Sequence, residues 1–447
     1  MKKVNVADVI GESKFSKYHV ILLFWCSLLL FFDGIELGLI GAISTSLIEE
    51  WSLSSVQLGT ISSYTAVGMI IGGLLFGPLG DKVSRKNIIL ISTLIYSLFT
   101  LMGAFSQGVV DFSIYRFLAG IGMGGVVPTT LGLISDIFPR KNRSFSLAVG
   151  TSAIGLGAMV AGLLAIFLIP TFGWRALFIV GALPILALPI LVKIMPESPV
   201  ILYKKQRFDK MARLLNNISN TNYYTTKDTF EIEIKTQAKV PFTALFQNKQ
   251  TVGTLLIWIT CLCSYIVSFA LTAWLPNLMV RAGYPLTSGL LFTVVLGFGA
   301  LIGSLTGGKL AERVGMKKVV VVSYVLGSLS LCALGINITS SILLYSIFFI
   351  VGIGTTGAQN LLLAYCAQFY PTEIRSTGIA TANILGRVGS FIGPIFGGVI
   401  ISLNFSTPAS FVAFGVVAFI AALALSGIKI AQEISTVQVV TKEAKLN

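Results

Sequence analysis

Twelve apolar runs divide this chain: residues 18–48, 56–78, 87–108, 111–137, 145–170, 175–194, 252–279, 288–311, 318–337, 340–369, 377–402 and 407–430. Each has about the ~20 residues that a helix needs to cross a hydrocarbon core of ~30 Å. Inside such a core no water satisfies exposed backbone groups, so a run of this kind closes its hydrogen bonds within itself, as a helix. Composition agrees, with 55% of the 447 residues hydrophobic, only 11% charged, and a mean hydropathy of +0.87. The expectation is an all-α membrane protein with twelve transmembrane helices. The first run is too long, and too polar in its middle, for a cleaved leader, and is expected to remain as span 1.

A formal net charge of +14 invites a nucleic-acid reading, and the placement of the basic residues removes it. All but four of the 32 Lys and Arg fall before span 1, between spans 2 and 3, 4 and 5, 6 and 7, 8 and 9, or 10 and 11, or after span 12. The exceptions are Arg116, Arg175, Arg281 and Arg387. An excess of Lys and Arg marks cytoplasmic loops, which puts both termini and the central loop inside the cell and the chain in the plasma (inner) membrane. The basicity serves topology; no nucleic acid is expected as a partner, and the lipid bilayer is. The five cysteines all lie in apolar runs without metal-ligand or disulfide spacing, so neither metal nor disulfide is expected. His19, at the start of span 1, reads as an interfacial histidine.

The chain also repeats itself. "GPLGDKVSRK" at 77 matches "GKLAERVGMK" at 308, "FPRKNRS" at 138 matches "YPTEIRS" at 370, and "WSLSS" at 51 matches "YPLTS" at 284. These three segments agree on nearly one register. Two pseudo-symmetric six-helix bundles follow, residues 1–194 and 252–447, joined by a polar central loop at 195–251; parallel repeats about an axis along the membrane normal are one of the transporter plans. Within the loop, "KKQRFDKMARLLNNI" carries apolar residues at helical spacing and is expected to lie along the cytoplasmic surface. "NTNYYTTKDT" after it reads as mobile.

These motifs carry a resemblance. The two copies of the G-x-L-x-D/E-R/K-x-x-x-K loop, "RFLAGIGMGG" at span 4, "YPTEIRSTG" and "GRVGSFIGPIFGG" resemble the major facilitator superfamily over nearly the whole chain. Within it, "FDGIE" of span 1 resembles the D-G-x-D signature of the aromatic acid/proton symporters, with Glu36 in place of the second Asp. "RFLAGIGMGGVVP", "GAQ" at 357–359 and the arginine of "GRVGS" are similar to that family too, and sugar and organic-ion porters share several of these features. Ser84 and Met316 depart from the usual Gly and Arg of the repeated loop. The resemblance implies the major facilitator fold and a monomeric carrier rather than an enzyme. It further implies import of a small organic acid, an aromatic carboxylate, by alternating access, with protons as coupling ions and no other cofactor.

The charges inside the spans point the same way by themselves. A charged side chain at mid-bilayer costs ~2.5–3.5 kcal/mol on insertion scales, so Asp33, Glu36, Arg116 and Arg387 have to be paired, hydrated or protonated. Asp33 stands about 22 Å along span 1 and Arg116 about 8 Å below the outer surface in span 4, at a rise of ~1.5 Å per residue. In a core of ~30 Å the two nearly coincide. Asp33 and Glu36 share a helix face, so one arginine meets two carboxylates, and these acids are the expected proton-coupling pair. A buried ion pair that serves architecture alone is the competing reading. Arg387, about 15 Å along span 11, has no acid in the spans of its own half and is expected to hold a substrate carboxylate. Arg116, Gln359, Asn360, Tyr265, Tyr365 and Trp274 complete the expected cavity lining.

On the cytoplasmic side the repeated loop reads as a latch. Gly77 would admit a neighbouring helix, Asp81 would cap span 11 or pair with a basic residue such as Arg143, and Arg85, Glu312 and Arg313 complete the two copies. Among competing classes, a drug/proton antiporter would be expected to carry G-P-x-x-G-G in its fifth span, whereas here "GPIFGG" lies in the eleventh and the fifth reads "SAIGLGAMVAGLL". A non-transporting receptor would be expected to have a sizeable soluble domain. There is no G-x-x-x-x-G-K-S/T loop for ATP.

Overall fold

A computed structural model of the chain describes residues 3–221, 223–226, 228–232, 242–247, 250–336, 338, 340–371 and 374–428. Among them stand twelve helical spans long and apolar enough to cross a membrane: Lys17–Trp51, Ser55–Lys82, Arg85–Ala104, Val109–Ile137, Arg140–Phe172, Arg175–Ile194, Thr251–Arg281, Leu286–Val314, Met316–Ala333, Ser341–Phe369, Arg375–Ser402 and Thr407–Ser426. They are numbered 1 to 12 below. The chain is a multi-pass membrane protein. By contact it divides into two units, residues 1–39 with 67–237, and residues 40–66 with 238–447. The sequence-drawn halves differ from these units in that the end of span 1 and the start of span 2 group with the second.

In the first unit, small residues set the helix spacing, since lipid offers no hydrophobic force to press helices together and close backbone contact has to do it. Span 1 meets span 5 through reciprocal glycines: a Cβ at Gly34 would overlap the Ile154 carbonyl, and one at Gly157 the Phe31 carbonyl. With this face turned to span 5, Asp33 and Glu36 lie on the other side of span 1. Span 4 approaches span 3 at Gly122 and Gly125, where a Cβ would run into Ser92 and the Tyr96 backbone.

The first unit also carries a cap that the sequence reading did not foresee. Residues Lys3–Asn5 form a strand parallel to Thr229–Glu231, with Val4 opposite Phe230. The Asn5 side chain then caps the helix Val6–Glu12. That helix packs on Phe208–Ser219 and on span 5. The helix Phe208–Ser219, expected to lie along the cytoplasmic surface, buries Met211, Ala212, Leu214, Leu215 and Ile218 in one core with Val4, Val6, Ile10 and the first-unit spans. The segment after it, expected to be mobile, is pinned where described: the Asn216 amide accepts from Tyr224 N at 2.9 Å and donates to Tyr224 O at 2.9 Å. Asn222 and Lys227 of that segment lie outside the described residues.

In the second unit, spans 7 and 11 pack closely through glycines. Gly386 and Gly389 lie against the Tyr265 side chain, and Gly393 against the Ile266 carbonyl. The Trp274 indole Nε1 donates to Pro394 O at 2.8 Å. Residues 40–66 join this packing: Gly41 abuts the Thr272 carbonyl, Gly59 abuts Pro394, and Ser63 Oγ donates to Phe391 O at 2.6 Å. Span 10 is interrupted by one π-helical turn, Ile353–Gly357, which ends two residues before Gln359. Such turns are frequent at functional sites.

Candidate functional site

Each unit holds one cluster. In the first, Arg116 Nη1 donates to Glu36 Oε2 at 2.7 Å, and both residues are almost entirely buried, at 1% and 0% exposure. The guanidinium also sits 5.6 Å from the centre of the Phe178 ring. Asp33, at 1% exposure, lies three residues before Glu36 on the same face. The second oxygen of Glu36 lies against Gly181 of span 6, where any Cβ would crowd it at 2.8 Å. Asp33, Glu36, Arg116 and His19 are the charged or imidazole side chains fully buried among the described residues. A pair at this depth is held by mutual attraction in low dielectric, and removal of either partner leaves a charge with a desolvation penalty of several kcal/mol.

In the second unit, the Tyr265 hydroxyl stands beside the Gln359 side chain and within electrostatic reach of Arg387. Gly386 and Gly389 flank Arg387 in sequence and allow this ring to lie against span 11. Arg387 itself is half-buried. Tyr265 stacks on Phe269, with ring centres 6.1 Å apart and planes at 8°. Arg387, Tyr265 and Gln359 are therefore one cluster.

Three expected lining residues sit elsewhere. Trp274 is fully buried with its N–H committed to Pro394, a span 7 to span 11 tie. Asn360 is exposed and donates to Ser304 Oγ of span 8 at 3.0 Å; one residue after Gln359, it points about 100° away around the helix. Tyr365 is 1% exposed in a core with Tyr324 and Phe369.

At the loop between spans 2 and 3 the arrangement differs from the expected one. Asp81 pairs with Arg85 at 2.9 Å, and Arg85 Nε reaches Asp136 at 3.4 Å. Asp136 in turn accepts from Ser198 Oγ at 2.6 Å, and Ser84 Oγ donates to Glu197 Oε2 at 2.6 Å. Arg143 donates to Phe138 O at 3.4 Å instead. A Cβ at Gly77 would meet nothing within 4 Å, and Glu312 and Arg313 are exposed with no ion pair among the described residues. The missed partners had a signal: Asp136 is an acid at the very end of an apolar run, and "PESP" at 196–199 places Glu197 and Ser198 directly after another.

The model of the family described as the Major Facilitator Superfamily matches residues 26–303 and 287–436. Over 422 residues the chain is 35% identical to the benzoate transport protein of Acinetobacter baylyi, covering 93% of this chain and 90% of that one. It is 31% identical to the gallate transporter of Pseudomonas putida, over 94% of each. Among solved structures it superposes on a D-xylose–proton symporter with a TM-score of 0.70 at 19% identity, covering 92% of this chain and 97% of the other. It also superposes on an inward-facing, occupied bacterial homologue of the human lysosomal transporter Spinster, with a TM-score of 0.74 at 16% identity, covering 94% and 99%. At such identities these structures speak to the fold alone.

Proposed function

Because the chain belongs to the Major Facilitator Superfamily, we propose that it is a secondary transporter importing a small aromatic carboxylate together with protons by alternating access. Both termini face the cytoplasm in this reading, as the distribution of Lys and Arg supports. The substrate class draws on relatives named for benzoate and gallate transport, each aligned over nine-tenths or more of its own length. The observation that carries the coupling is the presence of two fully buried acids on one face of span 1, one of which, Glu36, is paired with Arg116.

An inside-negative potential opposes an entering anion by ~2.3 kcal/mol per charge per 100 mV. One accompanying proton cancels that penalty, and a second turns the voltage into a driving force. The carrier therefore needs a carboxylate that exchanges protons. Glu36 is held by Arg116. Asp33, next to that pair and out of water, is the member poised to take up and release the coupling proton. In the second unit, Arg387 offers a planar fork for the substrate carboxylate, and Tyr265 with Gln359 supplies a ring face and an amide for the aromatic body.

The test is reconstitution into vesicles with an imposed pH gradient, labelled benzoate and a lumenal pH dye. Wild-type carrier accumulates benzoate and acidifies the lumen. Asp33→Asn carrier exchanges benzoate across the membrane but no longer concentrates it. Accumulation that persists in Asp33→Asn would falsify the coupling role of Asp33.

A further inference from the structure

Span 3 turns a row of hydroxyls inward at Ser92, Thr93, Tyr96, Ser97 and Thr100, all at 0% exposure. Their spacing puts them on one helix face over about 12 Å at ~1.5 Å per residue. None of the five hydroxyls has a protein hydrogen-bond partner among the described residues. Elsewhere in the spans Thr129, Ser62, Thr272 and Thr355 each donate to the carbonyl one turn back, while Ser27, Thr45, Thr130 and Ser146 stand singly in other spans without a partner among the described residues. A buried polar atom without a partner costs about 1–3 kcal/mol. A row of five along one apolar helix is best accounted for by water between them, since a buried water takes two to four such groups.

The outer end of the row abuts the acids. Gly181 separates Glu36 from Thr100: a Cβ there would stand 2.8 Å from Glu36 Oε1 and 3.3 Å from Thr100 Cγ2. The Tyr96 hydroxyl lies within electrostatic reach of Asp33 and Glu36, and approaches Ser97 without completing a well-angled hydrogen bond. The other end, Ser92, faces Gly125 of span 4, whose carbonyl accepts from Thr129; Thr130 beside it is again buried without a partner. Among the described residues the charged groups that act on Tyr96 are Asp33 and Glu36 of span 1, and Arg116 of span 4 is bound to Glu36. Span 5 between residues 144 and 172, and span 6 between 176 and 192, contain no Asp, Glu, Lys, Arg or His.

We propose that Thr100, Ser97, Tyr96, Thr93 and Ser92, with water threaded between them, form a proton relay inside the first unit, running from Asp33 and Glu36 toward the end of span 3 that carries Arg85. Each hydroxyl or water accepts a proton on one lone pair and gives up its own on the far side. One proton leaves the carboxyl group, one emerges beyond Ser92, and the relay is unchanged. The coupling proton thus has a route of its own, apart from the substrate's. These are positioning residues: they touch the proton and not the aromatic acid.

The relay rests on the proton-coupled reading above, and one experiment separates the two. Vesicles carrying wild type, Tyr96→Phe, or the triple variant Tyr96→Phe/Ser97→Ala/Thr100→Val are assayed for benzoate exchange and for benzoate-driven lumenal acidification. Exchange is expected to be unchanged, while acidification slows in Tyr96→Phe and more so in the triple variant, by about 10²-fold, the lower end of what a positioned proton-transfer group contributes. Tyr96→Phe removes a single oxygen and carries the test if the triple variant fails to fold. A wild type that never acidifies the lumen sinks the coupled reading and the relay with it. Variants that acidify at the wild-type rate, or lose exchange and acidification by one common factor, overturn the relay alone.

Discussion

At the residue scale, the two arginines inside the spans differ in what surrounds them. Arg116 is buried to 1% and its fork is engaged by Glu36 and the Phe178 ring, so it shapes the acid site from within the first unit. Arg387 is only half-buried and stands beside a tyrosine and an amide. A guanidinium holds both oxygens of a carboxylate at once, and an ammonium cannot. Arg387→Lys is therefore expected to weaken benzoate binding about tenfold to a hundredfold, the loss of one charge-assisted hydrogen bond of ~1.5–3 kcal/mol. Calorimetric titration of detergent-solubilised carrier reads this directly, with melting temperature as the control for folding. An affinity equal to wild type would remove Arg387 from the substrate site.

At the scale of elements, span 1 stands where two glycines put it. Gly34 and Gly157 let spans 1 and 5 touch backbone to backbone, and this contact orients Asp33 and Glu36 away from span 5. Gly157→Val sets three carbons where the Phe31 carbonyl already lies, and overpacking of that kind costs about 1–3 kcal/mol or more. It is expected to lower the melting temperature and to abolish proton-driven uptake by displacing the acids. Gly155, two residues away on the same helix, has nothing within 4 Å of its Cβ position; Gly155→Ala should be neutral or stabilise by up to ~1 kcal/mol through helix propensity. Thermal melts of the two variants side by side decide it: equal melting temperatures would mean that the span 1 to span 5 contact is slack. The cap on the first unit is a second element-scale feature. Its two strands come from residues 3–5 and 229–231, too far apart in sequence for local pattern to pair them.

At the scale of the whole molecule, topology is the reading most open to a single decisive measurement. Asn217 is exposed on the helix Phe208–Ser219, which suits it to labelling. Asn220, one residue past the end of that helix, holds φ at +52°, which a cysteine adopts poorly. Four of the five native cysteines are buried and Cys332 is half-buried, so a Cys332→Ser background is quiet. In that background Asn217→Cys should react with an impermeant maleimide only after the cells are opened. Labelling in intact cells would place the segment between spans 6 and 7 outside and reverse the orientation.

What the sequence determined by itself was whatever follows from solvent and spacing. Twelve runs of the right length became twelve spans, because a helix is the way a single segment satisfies its own backbone in hydrocarbon. The repeats at 77 and 308, 138 and 370, and 51 and 284 marked a doubled plan, and the cost of charge in lipid singled out Asp33, Glu36, Arg116 and Arg387. Depth along the helices even brought the acids of span 1 level with Arg116. What depth leaves open is rotation about each axis, and this the tertiary structure decided. Helix packing chose Glu36 as the partner of Arg116, turned Asn360 toward Ser304, and committed Trp274 to Pro394. It also gave Arg85 to Asp81 and Asp136, leaving Arg143 to a carbonyl. A rotation of 100° per residue separates one neighbour from another, and it is fixed by which glycines meet which backbones across the bundle.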